Sequence, residues 1–205
     1  SPGKRGKKWA AYLDKYLLFP KSIKNKLQSL SKPVDLVHII DHSNSVYLPQ
    51  LKKISHAKKI ITCHDLIAIR TARGEFNQAP QTSKSGKRLQ GWIYNSLRLA
   101  DYYACDSMQT KQDLDRLIPR SRLKSSVLHL GTETNFPTAE KQRSSIETTP
   151  FNPSKTNYLL HVGSAAWYKN RKAVYKAFRN TSEKFPNLDL KLILVGPKPQ
   201  NEELE

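Results

Sequence analysis

Hydrophobic and polar positions along this chain fall into two kinds of run. Short stretches rich in β-branched and aliphatic residues end in polar pairs, and longer segments between them carry apolar residues three and four apart. The first kind predicts strands buried in a parallel sheet, the second amphipathic helices. Residues 34–40 (VDLVHII), 58–63 (KKIITC), 102–105 (YYAC) and 125–130 (SSVLHL) are strand candidates. Residues 9–18 (WAAYLDKYLL) set Trp9, Tyr12, Leu13, Tyr16 and Leu17 at helical spacing, and Pro20 is expected to close that helix. A short helix is predicted over 48–54. A longer one over 88–100 has Leu89, Trp92, Ile93, Ser96, Leu97 and Ala100 on its buried side, and a fourth begins at Ser107, a suitable N-cap, and stops before Pro119. Residues 70–85 mix Gly, Pro, Ser and charge without periodicity and read as a long loop. Strand alternating with helix predicts an α/β fold whose parallel sheet is covered on both faces.

From 132 to 156 the composition shifts to Thr, Ser, Pro and charge, which reads as an interdomain linker. Beyond it, residues 158–162 (YLLHV), a loop over 163–168, a helix over 169–185 and a strand over 188–195 (LDLKLILV) make one βαβ unit. The expected organisation is a Rossmann-like domain over 1–131, a linker over 132–156, and the start of a second Rossmann-like domain over 157–205. Both ends of the chain are expected to be truncated.

The composition narrows the setting. A chain of 205 residues with 38% hydrophobic residues can bury a core, and no tract approaches the roughly 20 apolar residues of a spanning helix. Lys and Arg number 35 against 17 Asp and Glu, for a formal charge of +18, which suits nucleic acid, anionic lipid headgroups or phosphorylated substrates. Residues 1–32 are the most lopsided, with Lys4, Arg5, Lys7, Lys8, Lys15, Lys21, Lys24, Lys26 and Lys32 opposed by Asp14 alone. A surface facing an acidic membrane is one explanation. Cys63 and Cys105 have no metal spacing, fit a reducing cytoplasm, and read as inert packing residues.

Chemistry in an open parallel sheet is expected beyond the carboxyl ends of the strands. Asp41-His42-Ser43, His64-Asp65 and Asp106-Ser107 occupy such ends. Each also has a structural reading: a turn cap for Asp41 and His42, a backbone-bonded histidine for His64, a helix cap for Ser107. In the second βαβ unit, Gly163 after a strand and Lys169-Asn170 at a helix start make an anion site, where exposed N–H groups, the helix dipole and the lysine charge favour a phosphate. The structural reading there is a solvated loop lysine.

Six segments in order, "DLVHIIDHS" from Asp35, "IITCHDLIAIR" from Ile60, "LADYYACDSMQTKQDL" from Leu99, "SVLHLGTETNF" from Ser126, "LLHVGSAAWYKNRKAVYKAF" from Leu159 and "LKLILVG" from Leu190, make the chain similar to a family-four retaining glycosyltransferase of the GT-B class. The resemblance implies two Rossmann-like domains, the first here lacking its initial strand. It implies transfer of a sugar, of the hexosyltransferase kind, from a nucleotide-sugar donor to an acceptor with retention. His64 would lie beside the transferred sugar, positioning it or the acceptor, and Asp65 would orient His64 or the adjoining loop. Lys169 matches the lysine that neutralises the donor diphosphate, with Gly163, Asn170 and Arg171 around it. Ser107 and Thr110 match the family's "S..T" helix start, which with Asp41 and His42 would border the cleft.

Ser164 departs from the pattern, since many relatives carry an Arg there; Arg171 is a candidate substitute. The family's Gly-rich first loop is expected before residue 1 and its paired-Glu donor motif after Glu205, so the chain alone is expected not to turn over. No Asp-x-Asp metal motif is read in the chain, and on that ground neither metal nor cofactor is expected. The acceptor is unassigned, with a lipid-linked or polysaccharide acceptor suggested by the basic amphipathic start, and the expected location is cytoplasmic, peripheral on the inner face of the plasma membrane. The rival from another class is a basic nucleic-acid-binding module, although no zinc spacing, RNP-like motif or helix-turn-helix accompanies the charge. A second rival keeps the GT-B fold as a sugar-nucleotide epimerase or an inactive binding remnant.

Overall fold

The computed structural model describes residues 10, 13–54, 56–131, 152 and 155–199. They form two compact units divided after Gly131, with residues 78–80 grouping with the second. The expected linker therefore lies outside the described residues except at 152, 155 and 156, as do Trp9 and Tyr12 of the first expected helix.

That first helix does not end at Pro20. A π-helical turn, Asp14–Leu18, runs directly into helix α1, Phe19–Gln28, with Pro20 in its first turn. The Phe19 N–H donates to the Asp14 carbonyl, five residues back. The wide turn resets the hydrogen-bond register, and proline, which has no N–H to give, is tolerated at the start of the new helix.

The first unit is built on four parallel strands, β1 (Leu36–Ile39), β2 (Lys58–Cys63), β3 (Tyr102–Cys105) and β4 (Ser125–Val127), in that spatial order. Each strand pairs with its neighbour in sequence. The connections are a 3-10 turn at His42–Tyr47 with α2 (Leu48–Ile54), then α3 (Ile67–Ala72) with α4 (Lys84–Leu97), then α5 (Met108–Leu117). Right-handed crossovers that all advance in one direction carry their helices to one face of a sheet. The burial follows this rule. The register sets Ile39 beside Ile61 and Tyr103, and Cys63 beside Cys105, and all five are buried under Leu48, Leu51, Leu97 and Leu114. On the opposite face Leu36 and Tyr102 are exposed, so among the described residues the sheet is not covered evenly on both sides. The buried Ser45 hydroxyl donates to the Ile93 carbonyl at 2.8 Å and Tyr103 to the Leu97 carbonyl at 3.0 Å, so these core polar groups are satisfied.

Helix α4 starts a turn earlier than its hydrophobic pattern predicts, because Ser83 caps it by accepting from the Gly86 N–H. Trp92, expected in the core, is exposed and lies 5.4 Å from the Tyr16 ring. The expected loop 70–85 shortens at both ends: α3 continues through Ala72, and Gly74 takes a positive φ just after it, as a helix end favours. Strand β4 stops at Val127 rather than 130.

The second unit has two parallel strands, β5 (Tyr158–Val162) and β6 (Lys191–Val195), joined through a 3-10 turn at Trp167–Lys169, α6 (Arg171–Lys184) and a second 3-10 turn at Pro186–Leu188. β6 begins three residues later than expected because Asp189 adopts the left-handed conformation that closes that second turn.

Candidate functional site

Parallel pairing in register brings the carboxyl ends of β1, β2 and β3 together. Cys63 is opposite Cys105, so the next residues, His64 and Asp106, emerge side by side. The His64 Nδ1 lies 3.2 Å from the Asp106 Oδ2, and its Nε2 lies 2.9 Å from the Ile40 carbonyl oxygen at the end of β1. The Thr110 hydroxyl donates to the His64 carbonyl at 3.0 Å. Ser107 caps α5 by accepting from the Thr110 N–H at 3.1 Å, and the two hydroxyls are 2.9 Å apart. Ser107 and Thr110 are thus locked to the end of β2 as well as to their own helix.

Asp65 faces elsewhere. Its Oδ1 accepts from the Ile67 N–H at 3.0 Å, fixing the start of α3, and the carboxylate on the His64 ring is Asp106. Of the two roles the resemblance implies for Asp65, orienting His64 or the adjoining loop, its bond is to the segment that follows, and the cross-strand register supplies Asp106 to the ring from a different segment. Asp41 accepts from the Ser43 N–H at 2.7 Å and caps the turn that follows β1. His42 is largely buried, its Nδ1 3.7 Å from the Asp41 Oδ1.

The two histidines are tuned in opposite directions. Burial pulls the His42 pKa below its ordinary value, and the charges of Asp41 and Asp65 only partly offset it. For His64 burial is the largest single influence and also acts downward, but the Ile40 carbonyl, the Asp106 carboxylate and the charge of Asp41 together outweigh it and raise the pKa. Asp41 is lowered: burial would raise it, but hydrogen bonds from Ser43 and the charges of His42 and His64 prevail. Beneath this layer the Cys63 thiol is pushed well up, foremost by its hydrogen bond with Cys105 and then by burial. A thiol so protonated is a poor nucleophile.

Several polar residues escaped the sequence reading. His129, just past β4, has its Nδ1 3.1 Å from the Asp106 carbonyl oxygen, extending the layer to the fourth strand end. Arg70 reaches Glu75 at 3.0 Å and Asp113 at 2.6 Å, and Arg116 reaches Glu75 at 2.6 Å, so the turn after α3 is clamped to α5. The chain does contain an Asp-x-Asp triplet, Asp113-Leu114-Asp115, but it lies within α5. Asp113 is engaged with Arg70, and Asp115 accepts from Lys111, Ser121 and Ser125. Among the described residues no group of three or more His, Cys, Asp or Glu side chains is disposed to hold a metal ion.

In the second unit Gly163 leaves β5 and the chain turns through Trp167–Lys169 into α6. Asn170, between the turn and the helix, adopts the left-handed conformation with φ 48°, which asparagine tolerates. Lys169 is therefore the last residue of the turn rather than a helical residue, and no side chain caps α6. Its stem passes over Gly163: a Cβ placed there would be 3.8 Å from the Lys169 Cδ and 3.4 Å from the His161 Nε2. Gly196, paired in continuation after β6, has φ 146°, and a Cβ there would overlap the Gly163 carbonyl oxygen. Arg171 is buried, and its Nη2 donates to the Pro197 carbonyl at 2.8 Å. Its guanidinium thus faces the end of β6. No described helix is long and apolar enough to cross a membrane.

No protein-family model matches the sequence, and no curated protein sequence matches it. Solved structures do match. A UDP-forming alpha,alpha-trehalose-phosphate synthase from Burkholderia xenovorans superimposes with a TM-score of 0.55 at 12% identity, over 91% of this chain and 44% of its own. The corresponding enzyme of Burkholderia vietnamiensis gives 0.55 at 11% identity, over 91% and 43%. The apo structure of OtsA gives 0.54 at 13%, over 90% and 44%. The chain spans less than half the length of these structures, and the likeness at such identity is one of fold: an α/β chain of the GT-B type.

Proposed function

We propose that this chain is the acceptor-side part and the opening of the donor-side part of a retaining glycosyltransferase, which moves a hexosyl group from a nucleotide-sugar donor to an acceptor. The observation that carries this reading is the parallel strand, loop and helix of the second unit, where Lys169 lies over Gly163 at the uncapped start of α6. A glycine lets the backbone approach a ligand closely, the first-turn N–H groups point outward, and an ammonium stands beside them. That is a fitting receptor for a diphosphate leaving group, whose charge grows as the glycosidic bond breaks. The GT-B fold and the UDP-forming activity named for two of the similar structures support a nucleotide-sugar donor. Assignment to family four rests on the sequence resemblance alone.

In this reading His64, with Asp65 starting the adjoining helix, serves the sugar or the acceptor, and Asp41, His42, Ser107 and Thr110 shape the strand ends around it. No metal is invoked, the Lys169 charge and the helix start taking that role. The acceptor is lipid-linked or a polysaccharide. The exposed Leu13, Leu18 and Phe19 among Lys15, Lys21, Lys24 and Lys26 favour docking on an anionic membrane surface, on the cytoplasmic side.

Calorimetric titration with UDP, ADP and GDP tests the proposal. The protein is these 205 residues together with whatever coding sequence adjoins them. One nucleoside diphosphate is expected to bind, with Lys169→Ala weakening it about tenfold or more, equivalent to about 1.4 kcal/mol. Binding of none, or equal binding by the variant, overturns the reading.

A further inference from the structure

His64 has both ring nitrogens engaged, and neither partner has a proton to give. The Ile40 carbonyl, 2.9 Å from Nε2, only accepts, and the Asp106 carboxylate, 3.2 Å from Nδ1, only accepts when ionised. A neutral imidazole carries one N–H and one lone pair, so in either tautomer one of the two contacts would set a lone pair against an oxygen. Both contacts are hydrogen bonds only when both nitrogens are protonated. The geometry points to His64 as an imidazolium held in place by Asp106, which acts as its positioning residue, so that His64 supplies the strand ends with a fixed positive charge rather than a proton acceptor.

The surroundings agree from each element around the ring. At the end of β1, Asp41 adds a further negative charge that favours the cation, while burial lowers the pKa of the neighbouring His42. From β2, the Asp65 carboxylate is spent on the Ile67 N–H, and Cys63 beneath is held as a thiol. From β3, Cys105 shares a hydrogen bond with Cys63, and Asp106 is fixed twice over: its Oδ1 lies 3.3 Å from the Thr110 hydroxyl, and its carbonyl accepts from His129. The carboxylate is thereby held toward the ring by residues of α5 and by the segment after β4. The catalytic consequence rests on the proposed glycosyl transfer. A histidine so bonded cannot accept a proton from an acceptor hydroxyl, and a cation at that edge stabilises negative charge on a group bound there.

Nitrogen-15 NMR of histidine-labelled protein across pH 5–9 tests the protonation directly on this chain, without any need for turnover. At pH 6 both His64 nitrogens are expected at imidazolium shifts, with a midpoint above the ordinary histidine value of about 6.5. Asp106→Asn is expected to move that midpoint down, whereas Asp65→Asn moves it less. One protonated and one bare nitrogen at pH 6 overturns the proposal, as does a midpoint that Asp106→Asn leaves in place. If Asp106→Asn does not fold, the wild-type titration decides by itself. Where the adjoining coding sequence confers turnover, the rate is expected to fall on the alkaline side as His64 loses its proton, and a loss on the acid side with the same midpoint refutes the fixed-charge role. An absence of turnover contradicts the glycosyl-transfer reading and leaves the NMR result standing.

Discussion

The two units place polar residues at the carboxyl ends of parallel strands by different means. In the first, side chains hold side chains: His64, Asp106, Ser107, Thr110 and His129 come from three strand ends and one helix, and each bonds at least one of the others or its backbone. In the second, the backbone makes the shape. Gly163, Gly196 and the left-handed Asn170 set the path of the loop, and Lys169 stands exposed over it. A network of side chains fixes protonation and orientation, which suits a group that must keep one charge state. A loop shaped by glycines leaves N–H groups and a flexible cation for an incoming anion. The difference teaches that similar parallel sheets can order their strand ends in two ways, one through side-chain partners and the other through backbone conformation.

Substitutions that attack each device separately test this division. The largest effect is expected at Gly196→Ala, where the new methyl would meet the Gly163 carbonyl and the φ is unfavourable to any side chain. A loss on the order of 3 kcal/mol is expected in chemical denaturation of the second unit. Gly91→Ala, in α4 with open space around it, should instead stabilise by about 0.5–1 kcal/mol. Equal effects would erase the claim that the second loop is shaped by its glycines. Next comes Ser107→Ala in the first unit, which removes the α5 cap and one anchor of Thr110, for about 1 kcal/mol in the same assay. A variant as stable as the parent would loosen the network to a set of independent contacts. Smallest is a pH effect. The His42 pKa is lowered on folding, so its contribution to stability is full above the unfolded value of about 6.5 and is lost as pH falls through the lower folded value. His64, raised, contributes in the opposite sense, with full stabilisation below about 6.5 that is lost as pH rises through its folded value. His42→Gln is therefore expected to flatten the decline in melting temperature below pH 6.5, and an unchanged profile would refute the assignment.

Much of the scaffold could be read from the chain before any contact was known. Residues 58–63, 102–105 and 158–162 are strands with the bounds that their runs of β-branched, aliphatic and aromatic residues suggest. Pro20 misled, because a proline stops a helix only where its missing N–H is needed, and the π turn before it removes that need. Ser83 was a readable cap hidden in a polar stretch. At the strand ends, His64, Ser107 and Thr110 could be singled out individually, but their pairing could not. The link between His64 and Asp106 depends on the β2–β3 register and spans segments far apart in sequence. Asp65, which the resemblance would have orient His64 or the adjoining loop, bonds the Ile67 N–H at the start of α3. The position of Lys169 over Gly163 likewise turns on the left-handed Asn170, and a single sequence gives little warning of one such dihedral.

The order of strands β1 to β4 also bears on how the first unit comes into being. Each strand is laid beside the one made just before it, so the sheet can grow at one edge as the polypeptide leaves the ribosome, without holding a place open for a later segment. The longest wait falls between β2 and β3, while residues 64–101 are synthesised. During that interval the nascent edge of β2 stands unpaired, and Lys58, exposed at its start, puts a charge where another chain would otherwise find a strand to join.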